Sequence, residues 1–379
     1  MVELQLLNQE DAPVVFQLAH CNNDMKVAIA TLNAPKALNA LNLDMIRLLA
    51  PQLSEWSTDD SIAMVVLKGA GEKAFCAGGD VVSLYKAMAA DDDNNYLETF
   101  FSEEYRLDFQ IHNYDKPILL WGNGIIMGGG LGLMAGASHR IVTETSRIAM
   151  PEITIGLYPD VGGSYFLNKM PAGMGLFLGL TGASVNANDA KLVGLADHFI
   201  NADHFDILLH NLREVNWGKT NVLNHDKLTQ LLLSIEDGAH SLPNSALKPL
   251  AKDIAHLVEL PDLSAQIDHI LSIDSSENKW LSKAQAGLKH GSPISAVLVS
   301  EQLKRLAGKS LKDCFSHELT MSVHCGEVGE FREGVRALLI DKDGQPNWRF
   351  KSVNDVETDV IEGFFKPKWN EENHPLADM

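Results

Sequence analysis

Glu152 and Asp160 fall within the stretch Met150–Phe166, MPEITIGLYPDVGGSYF, which is otherwise apolar and rich in glycine. A carboxyl group in such surroundings resists ionisation, because burial disfavours the charged form, so a pair there is a candidate for acid, base or nucleophile work. Two glycine-rich loops lie upstream: Phe75–Asp80 (FCAGGD) after the strand-like run Ala63–Lys68, and Met127–Gly132 (MGGGLG) after the apolar run Ile118–Trp121. Each reads as a strand that ends, turns on glycine and opens a helix, the arrangement that leaves backbone N–H groups aimed at a negative ligand. Two such loops aimed at one oxygen form an oxyanion hole, in which a donor is worth about 2.7–4 kcal/mol in the transition state. The bland alternatives are tight helix-packing turns for the glycines and, for Asp160 after Pro159, the cap of a helix beginning near Val161.

FCAGGD, NGIIMGGGLGL and MPEITIGLYPDVGGSYFL, in that order and at those separations, resemble the crotonase (enoyl-CoA hydratase/isomerase) superfamily from Val14 to Ile200. Within it the chain is most similar to the 3-hydroxyisobutyryl-CoA hydrolases. That similarity is carried by EEY at Glu103–Tyr105, PDVGG at Pro159–Gly163 and EFREGVRALLIDKDGQPNW at Glu330–Trp348. The resemblance implies oxyanion donors at Gly79 and Gly129, with Ala77, Gly78 and Asp80 beside the substrate. It puts Gly132 where hydratases carry the first of two glutamates, so addition of water to a double bond loses half its acid–base machinery. The second glutamate remains as Glu152, and a further carboxylate follows as Asp160, which moves the chemistry to the thioester carbonyl. Glu152 is then either a nucleophile giving a mixed anhydride or a base for direct attack by water, and Asp160 positions or protonates the complementary partner. By the same resemblance Glu104 accepts a hydrogen bond from a substrate 3-hydroxyl, and Lys36 reaches a coenzyme A phosphate.

The resemblance thus implies hydrolysis of a 3-hydroxyacyl-CoA thioester, foremost 3-hydroxyisobutyryl-CoA in valine breakdown, with 3-hydroxypropionyl-CoA as a second substrate. No metal or cofactor is expected, coenzyme A being part of the substrate. The competing readings are an enoyl-CoA hydratase or isomerase and a non-catalytic crotonase-like scaffold. A Cys76/His139 nucleophile pair is set aside, since a cysteine at an apolar strand end is ordinarily an inert small hydrophobe. Gly130–Ala135 fits a dinucleotide GxGxxA pattern, but no acid ends the following strand.

The chain has 379 residues, of which 45% are hydrophobic and 21% charged, with a formal net charge of −19. That acidity argues against nucleic acid or an anionic membrane as partner, both of which need basic surface. An acyl-CoA must then be held by local Lys, Arg and N–H groups; homo-oligomerisation is left open. Cys21, Cys76, Cys314 and Cys325 are scattered without CxxC spacing, which points to neither disulfides nor zinc and suggests a reducing compartment. Met1–Gln17 shows neither a basic leader nor an apolar segment, so the sequence reading places the protein in the cytoplasm.

The elements that must position these groups follow a β/α rhythm. Val14–Leu18 and Lys26–Leu32 read as a hairpin across CNND, Leu43–Trp56 as a helix and Ile62–Leu67 as a buried strand. Further strands are expected at Pro117–Trp121 and Arg140–Val142, an acidic loop at Asp91–Asn95 and a helix at Tyr96–His112. Beyond Ile200 the pattern turns helical, at Ala202–Val215, His225–Glu236, Leu247–Leu260 and Pro293–Leu306. The expected architecture is therefore α/β, with a β/α core over residues 1–200 and a mostly helical region over 201–379; the resemblance implies that the core is a crotonase-like ββα spiral.

Overall fold

In the computed structural model, which describes residues 4–90, 95–238 and 241–379, the chain divides into two compact units. Residues 91–94 of the expected acidic loop lie outside the described residues. One unit comprises Met1–Gly79, Leu107–Ile148 and Val185–Ser245; the other comprises Asp80–Arg106, Ala149–Ser184 and Ala246–Met379.

A seven-stranded sheet forms the first unit, in the order Gln5–Leu6, Val14–His20, Lys26–Leu32, Ile62–Gly69, Ile118–Gly122, His139–Val142 and His198–Phe199. The hairpin pair is antiparallel from Val14 opposite Leu32 to His20 opposite Lys26, and the pairings beyond it are parallel. Parallel strands are covered on both faces, which is why IAMVVL and ILLWG are apolar runs without alternation. Helices Phe205–Glu214 and Asn221–Ile235 cover one face, where Leu208, Leu212, Trp217 and Leu228 join Ile29, Met64, Val66 and Trp121 in one buried cluster.

The glycine loops do not follow the long strands directly. Each is preceded by a short strand, Ala74–Cys76 or Ile125–Met127, in a second sheet with Arg147–Ala149 at its other edge. Three-residue strands are too short for a period-2 pattern to reveal, and the turns before them contain Gly71 and Gly124 with φ of 76° and 70°.

Asn39 fastens the Asn33–Leu41 segment to this second sheet. It is fully buried with φ of 55°, a conformation that asparagine tolerates better than most residues. Its side-chain amide donates to the carbonyls of Ala70 and Ala74, both at 2.9 Å, and its oxygen accepts the Ala34 N–H at 3.0 Å. The segment is also laced to the first glycine loop, by Ala77 N–H to Leu38 O at 3.0 Å and Leu41 N–H to Gly78 O at 2.8 Å.

The second unit is helical. It contains the N-terminal part of Tyr96–His112, together with Pro293–Arg305, Leu311–Val328, Glu330–Val335 and Thr358–Phe365. Tyr105 packs its ring between Phe101 and Phe315, at 5.9 and 5.5 Å between centroids. Ser292 and Ser310 cap the N-termini of Pro293–Arg305 and Leu311–Val328. The expected helix Leu247–Leu260 is broken into Lys248–Leu250, Ala251–Ala255 and His256–Glu259, with Pro249 in the first turn. Among the described residues no helix is long and apolar enough to cross a membrane.

Asn39→Ala leaves two carbonyls and one N–H in the interior without their partner and retains a left-handed backbone that alanine disfavours. We expect a loss of about 2–4 kcal/mol in urea unfolding at unchanged m-value. A loss below about 0.5 kcal/mol would mean that the clasp is dispensable.

Candidate active site

In the first unit the two glycine loops lie against each other. A Cβ on Gly130 would stand 2.4 Å from the Cys76 carbonyl oxygen, so only glycine permits this approach. Gly78 has φ of 112°, and its missing Cβ would be 3.5 Å from the Met127 carbonyl oxygen. Leu41 uses its N–H on the carbonyl of Gly78, a bridge that does not consume the Gly79 N–H. Gly129 begins the helix Gly129–Gly136, where the first N–H groups lie outside the helical ladder, and the Gly128 carbonyl takes the N–H groups of Leu131 and Gly132. Cys76 is buried and donates weakly to Gly78 O, while His139 bonds Ser138 and Thr229 and stacks on His225. Lys36 is exposed on the turn Pro35–Ala37, and Ala77 is half-buried.

The second unit gathers the carboxyl groups. Glu104, Glu152 and Asp160 are only 2%, 5% and 3% exposed. Glu104 Oε1 and Glu152 Oε2 are buried without a hydrogen-bond partner among the described residues. Burial raises all three pKa values. Repulsion from Asp160 adds to the rise at Glu104, and repulsion from Asp160 and then Glu104 adds to it at Glu152. Asp160 is pushed up to about 6 by burial, against the opposing hydrogen bond from Tyr105. Among the described residues no Lys, Arg or His charge acts on them. Such a cluster can hold and exchange protons near neutral pH. Asp80, of the same unit, accepts from the Ser83 hydroxyl at 2.6 Å and N–H at 3.1 Å.

The 3₁₀ turn Glu152–Ile155 is braced from behind by the segment around Glu330. Gly156, with φ of 71°, would place a Cβ 2.3 Å from Glu330 O, and one on Gly334 would lie 2.3 Å from the Ile155 carbonyl carbon. EFREG thus acts as a close-packing motif. Glu330 hydrogen-bonds the Ser292 hydroxyl and accepts the Arg349 N–H, while Ser292 donates its own N–H to Ile153 O at 3.0 Å.

Asp160 stands in a turn with two left-handed residues, Val161 at φ 51° and Gly162 at φ 86°. For β-branched Val161 this is a strained backbone that its surroundings must enforce. Glu318 does so, accepting the N–H groups of Gly162 at 2.7 Å and Ser164 at 2.8 Å, while Gln302 donates to Pro159 O. Glu318 therefore takes the role that sequence reading offered to Asp160 as its bland alternative. Asp160 accepts the Tyr105 hydroxyl instead, at 2.6 Å.

Sequence reading missed Glu318 and Ser322, along with their helix Leu311–Val328. The available signal was a Ser310-x-x-Asp313 capping pattern followed by Phe315, Glu318, Ser322 and Cys325 at spacings of three and four, a polar pair set into an otherwise apolar stripe. Among the described residues no cluster of three or more His, Cys, Asp or Glu could hold a metal ion.

Burial pushes Glu318 from an ordinary 4.5 up to about 8, against the hydrogen bonds it accepts. A carboxyl with a raised folded pKa stabilises the fold below its unfolded value and loses that contribution as pH rises through the folded one. We therefore expect stability to decline between about pH 4.5 and about pH 8 more steeply in the parent than in Glu318→Gln, measured as thermal midpoint against pH. Parallel curves would show that Glu318 titrates normally.

The enoyl-CoA hydratase/isomerase family model matches residues 27–365. A 3-hydroxyisobutyryl-CoA hydrolase, mitochondrial, of Danio rerio is 38% identical over 350 residues, covering 90% of this chain and 87% of that protein. The human protein of that name is 34% identical, covering 89% of this chain and 86% of its own length. Among solved structures, an enoyl-CoA hydratase from Rhodobacter sphaeroides 2.4.1 is similar with TM-score 0.80 and 31% identity, over 93% of this chain and 97% of that one. A carnitinyl-CoA dehydratase from Mycobacterium thermoresistibile is similar with TM-score 0.82 and 31% identity, over 98% and 99%. The cytoplasmic expectation is overturned by the relatives, whose names place them in mitochondria. Its basis was too coarse, because neither the composition of Met1–Gln17 nor free cysteines, which indicate a reducing compartment without distinguishing one from another, decides location. The α/β fold is the crotonase fold, and the chain belongs to the enoyl-CoA hydratase/isomerase (crotonase) family, within its 3-hydroxyisobutyryl-CoA hydrolase branch.

Proposed function

We propose that this protein hydrolyses 3-hydroxyisobutyryl-CoA to 3-hydroxyisobutyrate and coenzyme A, in valine breakdown by analogy with the family. One observation carries the reading: Glu152 has a bare buried oxygen and feels the charges of Asp160 and Glu104. By the resemblance, Gly132 stands where hydratases carry their other acid. The names of the relatives support it, each a hydrolase of this thioester. The two solved structures bear the names of a hydratase and a dehydratase, at a lower identity of 31%. We weight the hydrolase names more heavily because those relatives are 38% and 34% identical to this chain.

In the proposed reaction the N–H groups of Gly79 and Gly129 donate to the thioester oxygen as it gains charge, with Ala77, Gly78 and Asp80 lining the approach. Glu152, as carboxylate, attacks the carbonyl carbon to give a mixed anhydride. The departing thiolate takes a proton from the acid Asp160, water then opens the anhydride, and its surplus proton returns to Asp160. The reaction needs no metal or cofactor. Glu104 reads the substrate hydroxyl, and Lys36 is assigned to a coenzyme A phosphate.

A panel of acyl-CoA esters assayed for free thiol, beside an absorbance assay for enoyl hydration, tests the function. Thiol release is expected to be greatest with 3-hydroxyisobutyryl-CoA; hydration without thiol release would establish the hydratase reading. Glu152→Gln keeps the shape and removes the charge, so thiol release should fall at least about a thousandfold with folding intact. Activity within about tenfold of the parent would make Glu152 structural.

Selectivity is assigned to Glu104. A substrate hydroxyl paired with a buried carboxyl group that otherwise lacks a partner is worth roughly 1–3 kcal/mol, or about five- to over a hundredfold in kcat/KM. Glu104→Ala should lower kcat/KM for 3-hydroxyisobutyryl-CoA by that factor and change it little for isobutyryl-CoA, which lacks the hydroxyl. An unchanged ratio would remove Glu104 from recognition.

A further inference from the structure

Behind Asp160 the second unit holds an unbranched chain of hydroxyls. Asp160 Oδ2 lies 2.6 Å from Tyr105 Oη, which lies 2.7 Å from Ser322 Oγ. Ser322 Oγ lies 2.8 Å from Tyr158 Oη, which donates to the carbonyl oxygen of Glu318 at 2.7 Å. All four separations are those of O–H···O hydrogen bonds, so four protons are needed. Tyr105, Ser322 and Tyr158 supply one each, and the carbonyl can only accept.

Because the Tyr158 proton is committed to Glu318 O, Ser322 must donate to Tyr158 and Tyr105 to Ser322. The Tyr105–Asp160 contact, in which Tyr105 donates when Asp160 is ionised, then reverses and requires a proton on Oδ2. With Asp160 ionised, Tyr105 turns its proton to the carboxylate, and one of the two contacts of Ser322 becomes lone pair against lone pair. Tyr105, Tyr158 and Ser322 are fully buried, where an unmade hydrogen bond is costly.

We propose that Ser322 and Tyr158 are positioning residues that, through Tyr105, hold a proton on Asp160 and so assign the negative charge of the cluster to Glu152. This deepens the hydrolase reading and rests on it for its catalytic meaning. Two carboxyls that repel each other can divide acid and nucleophile roles only if something decides which keeps the proton. The chain reaches Asp160 and neither glutamate. The groups acting on Asp160 or feeling its charge are Glu104 and Tyr105 from Tyr96–His112, Glu152 from its turn, Tyr158 from its own loop, and Glu318 and Cys325 from Leu311–Val328. None is a cation that would favour the carboxylate; burial lifts Asp160 to about 6 and, with repulsion, lifts Glu152 well above its ordinary range, an order of ionisation that the hydroxyl chain must reverse.

The proton count makes an unusual demand of mutants. Ser322→Ala leaves two contacts and two hydroxyl protons, and Tyr158→Phe likewise leaves two and two, so either change satisfies the chain with Asp160 ionised. The test is an infrared titration of the Asp160 carboxylic C=O band, assigned by difference against Asp160→Asn. The midpoint should fall by about one pH unit, tenfold in the protonation equilibrium, in each single variant, and no further in the double variant. The lower limb of kcat/KM against pH should move upward in parallel, as Glu152 meets an ionised Asp160. A packing role would depress kcat/KM at every pH and leave the midpoint in place. Tyr158→Phe retains the ring and removes a hydroxyl whose hydrogen bonds go to Glu318 O and Ser322, so it remains informative if Ser322→Ala fails to fold. An unmoved midpoint in either folded variant overturns the proposal. Since the infrared band is read without substrate, failure of thiol release in the acyl-CoA panel would count against the hydrolase reading alone.

Discussion

The lack, among the described residues, of any cation acting on Glu104, Glu152 and Asp160 is the constraint on which the rest of the second unit depends. Moving an ionised carboxyl from water into a protein interior is so costly that the group ordinarily acquires a cation or keeps its proton. Among the described residues no cation acts on these three, and burial lifts their protonation above the usual carboxylate range. Folding pays for that arrangement through the apolar packing of Phe101, Tyr105, Phe315 and Phe331 around it. What results is a set of acids whose ionisation is available to a reaction near neutral pH.

Holding such groups in place requires backbone that would not adopt its conformation unaided. The Asp160 turn carries left-handed Val161 and is kept by the carboxyl of Glu318, itself buried and itself raised in pKa. The Glu152 turn is held by close backbone approach at Gly156 and Gly334, which no side chain would allow. Glu330 and Ser292 then satisfy the polar groups that this approach encloses. Both turns are therefore maintained by residues more than a hundred positions later in the chain, which explains why the helical C-terminal segments share one compact unit with them.

The sequence made legible what depends on local pattern. The hairpin, the Leu43–Thr58 and Tyr96–His112 helices and the buried central strands follow from periodicity and apolar runs, and the structure contains them. Glu152 and Asp160 were noticeable because charge is rare in such a stretch, whereas the burial of Glu104 was invisible on a helix whose other glutamates include half-exposed ones. The three-residue strands before the glycine loops were too short to leave a pattern. Ser322, Tyr158 and Glu318 escaped for a different reason: their importance lies in contacts at long sequence separation, and in a count of protons along them. No spacing rule expresses either.

The most direct measurement of the account is the number of protons released when the protein unfolds near about pH 6, followed in weakly buffered solution for the parent and for the triple variant Glu104→Gln, Glu152→Gln, Asp160→Asn. Carboxyls that the fold keeps protonated must ionise when it is lost. The parent should therefore release at least about one proton more than the triple variant, with the excess shrinking toward about pH 4, where the unfolded chain is protonated as well. Equal release from the two proteins near about pH 6 would mean that these carboxyls are already ionised in the folded state, and would contradict the account at its base.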